Sequence, residues 1–504
     1  MLSHTHCGGC MSLRAACAAR RSTLRAPALR VHCTSSSGEA TAVDAAAAPL
    51  LSWLHASGAQ TDGVRVRSEG GSGLGLVAAR DCAPGALLAT LPPSCLLSYD
   101  PQALAPSLRA LVEAVPAQLW SARLGLVLLE ERSRGDLSPF SHYVSLLPSR
   151  FEGIPTFFSA QGVAAIQYPP VSAQVNKRAR FLAAFAREQL AQHSALPGAP
   201  PFCGARVDAN AMGWAMAAVS SRAFRLRGPS APASMLPLLD LANHSFAPNV
   251  EVKATSDGGV ALRALAHFPI DTPLLLSYGA LSNDFLLLDY GFIVAANPHD
   301  RCALRFSPVL LDLAREVAGL GGAPFGGPGE AATDDPDGFS LFPWQRALLW
   351  ELRLLDGPNA TLEVTLGGAD GLDGRLLAAL RVLYTQDAAA LRAIPRDKQA
   401  QYLQQRDGLL SVAAERCALA TAASMAAITL SQWSSTLKED QELLESPTVL
   451  TPDVRLAVSF RADKKRALSE AIASLKDRIA ALSAPNAAAA APDKPRAKGF
   501  GKRE

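Results

Sequence analysis

The chain has 504 residues, 49% of them hydrophobic, with 48 basic and 45 acidic side chains for a net charge of +3. A length of this order predicts two or three domains. The balanced charge offers neither nucleic acid nor a membrane surface an electrostatic footprint, and no apolar run reaches the roughly 18 residues of a membrane-spanning helix.

Residues 1–38 contain no Asp or Glu and carry Arg14, Arg20, Arg21, Arg25 and Arg30 among Ala, Ser, Thr and Leu. That composition predicts an organellar transit peptide over residues 1–40, because a secretory signal needs a longer apolar core. Cys7 and Cys10 form a lone CxxC inside this leader. With no second pair following, no metal site is predicted there, and the other cysteines are scattered as reduced thiols are.

A helix is expected over Ala45–Ala56, then a strand over Val64–Arg67. In Ser72–Arg80 the pattern Gly73-x-Gly75 sits among alternating apolar residues and predicts a hairpin. It is not a dinucleotide fingerprint, because Asp81–Gly85 reads as a turn into a further strand, Leu87–Leu91, with no helix after it. Residues 60–100 are therefore expected to be β-rich. Residues 101–226 read as helical, with apolar spacing of the helical period over Leu119–Arg134, Gln174–Leu190 and Val207–Phe224 and proline-rich breaks at 148–155 and 196–201.

The densest stretch is Met235–Ile293, within a segment bounded here as 227–300. An apolar run, Leu236–Leu239, is followed by Asp240-Leu241-Ala242-Asn243-His244-Ser245. Short strand-like runs come next at Val250–Ala254, Val260–Leu265 and Leu274–Leu276. Ser277-Tyr278-Gly279, Ser282-Asn283 and Asp289-Tyr290-Gly291-Phe292 close it. Residues 301–342 end in a Gly-, Pro- and Asp-rich linker. From 343 to 482 the pattern is amphipathic helices, and the late basic run Arg455, Arg461, Lys464, Lys465 and Arg466 reads as a solvated face. The tail, 483–504, is Ala-, Pro- and Lys-rich and is expected to be disordered.

An Asn-His-Ser directly after an apolar run, with two tyrosines twelve residues apart downstream, resembles the C-terminal half of a SET domain. His142–Pro148, Ser221-Arg222-Ala223-Phe224 and Ser435–Asp440 extend the likeness to the Rubisco large-subunit lysine methyltransferase group. The resemblance implies an α+β fold: a β-rich SET domain with a helical insert, followed by an all-α C-terminal substrate-binding lobe. It implies S-adenosylmethionine as cofactor and a protein substrate held by the helical lobe, with no nucleic acid, no membrane and a monomeric chain. It places the backbone of Gly73 and Leu74, together with Arg222, Asn243, His244 and Tyr278, at the cofactor. Tyr278 matches the tyrosine assigned as catalytic, Tyr290 the one lining the lysine channel, and Asp240 a substrate contact. It also tips the leader toward the chloroplast stroma. The sequence departs from the group at Ser72, where the family carries Glu, at Leu281, at Val250 and at Leu226.

Methyl transfer to an amine is an in-line displacement accelerated largely by positioning. A free lysine, with a pKa of ~10.4, is mostly protonated at neutral pH, and an apolar channel lowers that value by desolvation. Oxygen atoms can hold the polarised methyl through weak C–H···O contacts, and a tyrosine is rigid in body and polar at one tip. Three readings stand: a plastid protein-lysine N-methyltransferase acting on a target such as Rubisco large subunit or aldolase, a histidine N-methyltransferase of the same architecture, and a non-catalytic SET-fold scaffold in plastid gene expression.

Overall fold

The computed structural model describes residues 37–70, 73–192, 198–226, 228, 231–321, 341–368, 371–385 and 388–482. The leader with its Cys7–Cys10 pair, Ser72, most of the Gly-rich linker and the C-terminal tail lie outside the described residues. The described part of the N-terminal segment is a helix, Ser37–Ala56, which begins before the expected Ala45 and buries Ala47, Leu50 and Leu54. The chain divides into two units, residues 1–150 with 181–279 and residues 151–180 with 280–504.

In the first unit, Val64–Ser68 and Leu74–Ala78 form an antiparallel hairpin in register Val64↔Ala78 to Ser68↔Leu74. The turn closes through Gly73, at φ +77°, a conformation that an L side chain rarely adopts. Val64, Val66, Leu76 and Val77 are buried. Leu87–Leu91, Val260–Ala264 and Val250–Ala254 form a second antiparallel sheet, with the middle strand of that list at its centre. Two helices, Trp120–Ser133 and Ala209–Arg222, pack together. Leu124, Leu126, Leu128 and Leu129 are buried on one, and Ala215, Ala217, Ala218 and Val219 on the other, where small side chains permit close approach. Arg132 stacks over the Trp214 ring at 4.0 Å, and the indole donates to Pro148 O at 2.8 Å.

Within this unit the chain crosses itself. Asn243–His244 pairs in parallel with Leu275–Leu276, the Val250–Ala264 hairpin lying between them in sequence. Parallel neighbours need such a crossover, since a tight turn can join only antiparallel strands. Asn249 clamps the crossing: its amide donates to Pro273 O at 2.8 Å, and its side-chain oxygen accepts from Leu275 N at 2.8 Å.

Among its described residues the second unit is mainly helical, with a ribbon of Arg301–Arg305 and Glu363–Gly367 that the helical reading of the sequence did not include. Its main core joins Leu348, Leu349, Leu376, Leu380 and Leu419 to the 30-residue helix Pro452–Ala481 through Leu468 and Leu475. Residues 151–180, inside the stretch read as the insert, belong to this unit. Their Phe158, Ile166, Tyr168 and Val171 form a smaller core with Leu287, Leu288, Ala457 and Phe460. Asp453, at the start of the long helix, accepts from Ser159 N at 2.9 Å and Ser159 Oγ at 2.6 Å.

Only part of the late basic run is a solvated face, with Arg455 exposed and Arg466 half-buried. Arg461, Lys464 and Lys465 are all buried. Lys464 Nζ lies 2.6 Å from both Asp284 and Asp300 and donates to Arg301 O at 2.7 Å. Arg461 and Lys465 share Asp440, at 2.7 and 2.5 Å. Buried charges persist only when paired, and the partners come from segments remote in sequence. A similar pair buries Arg381 on Glu415, with Nε to Oε2 at 2.6 Å and Nη2 to Oε1 at 2.9 Å.

Candidate active site

The Asn243–His244 crossing is the frame. Its chain enters through Leu238, a buried residue at φ +76°, ψ −51°, close to the strained γ-turn. Such conformations cost about 1–3 kcal/mol and cluster at functional sites. A short 3-10 turn over Leu239–Leu241 follows and turns Asp240 inward.

Asp240 does not reach the surface. Its carboxylate is fully enclosed, accepts from the Tyr143 hydroxyl at 2.6 Å and lies 3.6 Å from Arg222 Nη1, which donates to the Asp240 carbonyl at 3.2 Å. Burial raises its carboxyl above the usual range, and the Arg222 charge and Tyr143 donation oppose that rise. The same burial, with the adjacent carboxylate, pushes the Tyr143 hydroxyl well up. The expected substrate contact is thus an internal anchor for Arg222. Arg222 Nε is buried without a hydrogen-bond partner among the described residues. A buried guanidinium N–H in that state suits an anionic acceptor, and a carboxylate matches the guanidinium fork best. The amino-acid end of S-adenosylmethionine carries such a group, so this donor fits the cofactor.

Asn243 and His244 are half-buried. His244 Nδ1 accepts from the Tyr278 backbone N–H at 3.1 Å, which puts the proton of the neutral ring on Nε2. Its ring lies 5.0 Å from that of Tyr278 and 4.6 Å from that of Phe246. His244 therefore shapes the site and holds Tyr278. Tyr278 is half-buried rather than enclosed, and its hydroxyl donates to Ala242 O at 2.9 Å.

The hairpin meets the crossing at Gly75. A Cβ there would come within 2.6 Å of Glu69 Cγ and 3.1 Å of Asn243 Nδ2, so both side chains crowd the one face that glycine leaves open. Gly73 commits its N–H to Gly70 O at 3.0 Å and its carbonyl to Glu69 N at 2.7 Å, while Leu74 pairs with Ser68. Sequence reasoning does not single out Glu69, which also accepts from Arg67 Nη2 at 2.8 Å. It stands three residues before Ser72, the position that matches the family glutamate. An acidic side chain is therefore present at this glycine although the motif position holds serine.

Tyr290 belongs to the second unit. It ends a π-turn, Leu286–Tyr290, a form frequent at functional sites. Gly291 follows at φ +79°, and a Cβ there would come within 2.9 Å of the Gly153 carbonyl carbon, so the glycine is required twice over. Arg178 pins the turn, donating to Leu288 O and Asp289 Oδ1, each at 2.6 Å. Tyr290 is half-buried, and that burial with the Asp289 charge pushes its hydroxyl up to about 12. Asn283, the asparagine of the Ser-Asn motif, is fully buried and structural: its amide donates to Val294 O and its oxygen accepts from Val294 N, both at 3.0 Å.

Residues 337–468 match a family model described as Rubisco LSMT substrate-binding. A solved structure of the SET domain of LSMT bound to lysine and AdoHcy superposes with a TM-score of 0.59 at 20% identity, covering 87% of this chain and 92% of that one. A structure of Rubisco LSMT bound to AdoMet gives 0.58 at 20%, covering 87% and 93%. Among curated relatives, SET domain-containing protein 4 of Homo sapiens is 25% identical over 261 residues, which is 50% of this chain and 59% of the relative. Its Mus musculus counterpart is 27% identical over 247 residues, 45% of this chain and 54% of the relative. The chain thus spans somewhat over half the length of these two relatives. With the SET-domain structures matched over most of its length and residues 337–468 matching the Rubisco LSMT substrate-binding model, the chain has the fold architecture of the Rubisco LSMT-like SET-domain proteins.

Proposed function

We propose that this chain is an S-adenosylmethionine-dependent protein-lysine N-methyltransferase of the chloroplast stroma, acting on a protein such as Rubisco large subunit or aldolase. What supports this most is the convergence of Arg222, Asn243, His244 and Tyr278 on one chain crossing, with a buried Arg222 Nε that has no hydrogen-bond partner among the described residues. Arg222 would take the carboxylate of the cofactor and Asn243 its neighbouring polar groups, with Glu69 beside them. When bound, S-adenosylmethionine supplies an electrophilic methyl on a sulfonium.

The chain's own part is positional. The Tyr278 proton is committed to Ala242 O, so the hydroxyl offers only lone pairs to whatever reaches it. Lone pairs suit the hydrogens of a polarised methyl and an N–H of the incoming amine. The ring packs on His244, and an amine seated against these rings would be desolvated, which favours its neutral form. Tyr290 is assigned to the acceptor lysine on its sequence motif.

The test is stromal extract incubated with the protein and isotopically labelled S-adenosylmethionine, followed by peptide mass analysis. Label on a lysine supports the proposal. Label on a histidine replaces it with the histidine reading, and neither label nor cofactor binding leaves the scaffold. A fluorescent fusion of residues 1–60 that stays in the cytosol, or enters mitochondria alone, removes the stromal assignment.

A further inference from the structure

Tyr143 takes no part in the function just proposed, yet it is the one phenol of the first unit fixed on the acid that holds the cofactor arginine. It lies on the helix Ser141–Leu146, is 2% exposed, and reaches across 97 residues of sequence to Asp240 Oδ2 at 2.6 Å. Hydrogen bonds to a charged acceptor are the short, strong ones. We propose that Tyr143 is a positioning residue: by donating to Asp240 it keeps that carboxylate turned onto Arg222, and so aims the guanidinium at the carboxylate of the cofactor. This rests on the cofactor reading above and deepens it.

Three observations carry the assignment. Among the described residues, Asp240 meets Arg222 at Nη1, through its carbonyl and near Oδ2, while Nε has no partner and stays available to a ligand. Asp240 Oδ1 is buried with no hydrogen-bond partner among the described residues, so Oδ2 alone carries the contacts to both neighbours. Losing the Tyr143 hydroxyl would leave the carboxylate with Arg222 as its only charged or hydroxyl partner among the described residues. The groups facing Asp240 are few: Arg222 from the helix Ala209–Arg222 and Tyr143 from Ser141–Leu146, while Leu74–Ala78, packed on the same turn, brings no titratable side chain.

The direction of the effect follows. Burial already favours the protonated acid at Asp240, and the phenol donation works against that. Without it, Asp240 takes up a proton at higher pH, the neutral acid holds Arg222 less firmly, and cofactor affinity falls chiefly on the acid side.

The experiment is calorimetric titration of the full chain with S-adenosylmethionine at about pH 8 and at the lowest pH at which every variant stays folded, with thermal unfolding of each variant setting that limit. Tyr143→Phe is expected to weaken binding about 5- to 10-fold at the lower pH and less than about 2-fold at the higher one, the loss of part of one charge-assisted hydrogen bond. Asp240→Asn, which keeps Tyr143, is expected to bind weakly with no pH dependence over that interval, and adding Tyr143→Phe to it should change affinity no further. An unchanged affinity in Tyr143→Phe, or a loss equal at both pH values, makes Tyr143 a packing residue and overturns the proposal while the cofactor reading stands. A wild-type chain that binds no S-adenosylmethionine at either pH removes both.

Discussion

The Tyr278 hydroxyl donates to the Ala242 carbonyl at 2.9 Å, while the Tyr278 backbone N–H is held by His244 Nδ1. Both ends of the residue are thus fixed to the chain just before and within the Asn-His motif. Tyr278→Phe keeps the ring and its 5.0 Å contact with His244. Removing one preorganised polar group commonly lowers turnover by about 10²–10³-fold. Loss of one hydrogen bond costs only about 0.5–1.5 kcal/mol of stability. Single-turnover assays on whichever protein takes up label from the cofactor, with urea unfolding, check both halves. Undiminished turnover would leave Tyr278 a structural tyrosine.

Asn243→Ala should weaken S-adenosylmethionine binding by about 1–3 kcal/mol, roughly 5- to 150-fold, with little loss of fold. Gly75→Ala reaches the same place from the other strand, since its Cβ would meet Glu69 Cγ at 2.6 Å and Asn243 Nδ2 at 3.1 Å. Overpacking of this kind costs about 1–3 kcal/mol. Here it should be felt in affinity through displacement of both side chains. Calorimetry in which either variant binds as wild type removes that residue from the site.

Lys464 is wholly buried between Asp284 and Asp300. Burial pushes the Asp284 carboxyl up to about 6 even with the ammonium beside it. Lys464→Met would strand two carboxylates, and breaking a buried pair typically costs about 3–5 kcal/mol. The triple change Lys464→Met, Asp284→Asn, Asp300→Asn should recover part of that loss. Chemical denaturation distinguishes these outcomes, and a single variant as stable as wild type would contradict the pairing.

Asp453 gives a pH-dependent prediction of definite sign. Donation from Ser159 and Thr451 holds its carboxyl well below the usual carboxylate range. A depressed acid contributes stability that is present above its unfolded value of ~3.9 and is lost as pH falls below it. Asp453→Asn should therefore cost about 1 kcal/mol at neutral pH, the order of one net hydrogen bond, and progressively less under acid conditions. Unfolding curves recorded from neutral to acid pH test this, and a difference independent of pH would refute it.

What was legible in the sequence is what lies close together in it. Asn243, His244 and Tyr278 fall within 36 residues, and rare residue types there follow apolar runs that must be buried. The strands Leu87–Leu91, Val250–Ala254 and Val260–Ala264 were legible from their apolar content and the turn residues around them. Contacts between remote segments were not. Tyr143 sits in a short helix whose pattern does not reveal that its hydroxyl ends on Asp240. Lys464 and Lys465 read as a solvated run because their carboxylate partners lie 25 to 180 residues away. Glu69 escaped notice because a hairpin turn separates it from the glycine it faces.

The hydrogen bonds between Ser159 and Asp453 span 294 residues. Chains emerge from the ribosome at about 5–20 residues per second, so the Ser159 segment waits roughly 15–60 s for its partner to be made. During that interval Phe158, Ile166, Tyr168 and Val171 lack the Ala457 and Phe460 surface that finally covers them. A nascent chain at this stage exposes a sticky apolar segment in its middle while its end is still untranslated. The second unit is therefore assembled late, and a fragment beginning at the C-terminal helices would lack the 151–180 segment that completes its smaller core.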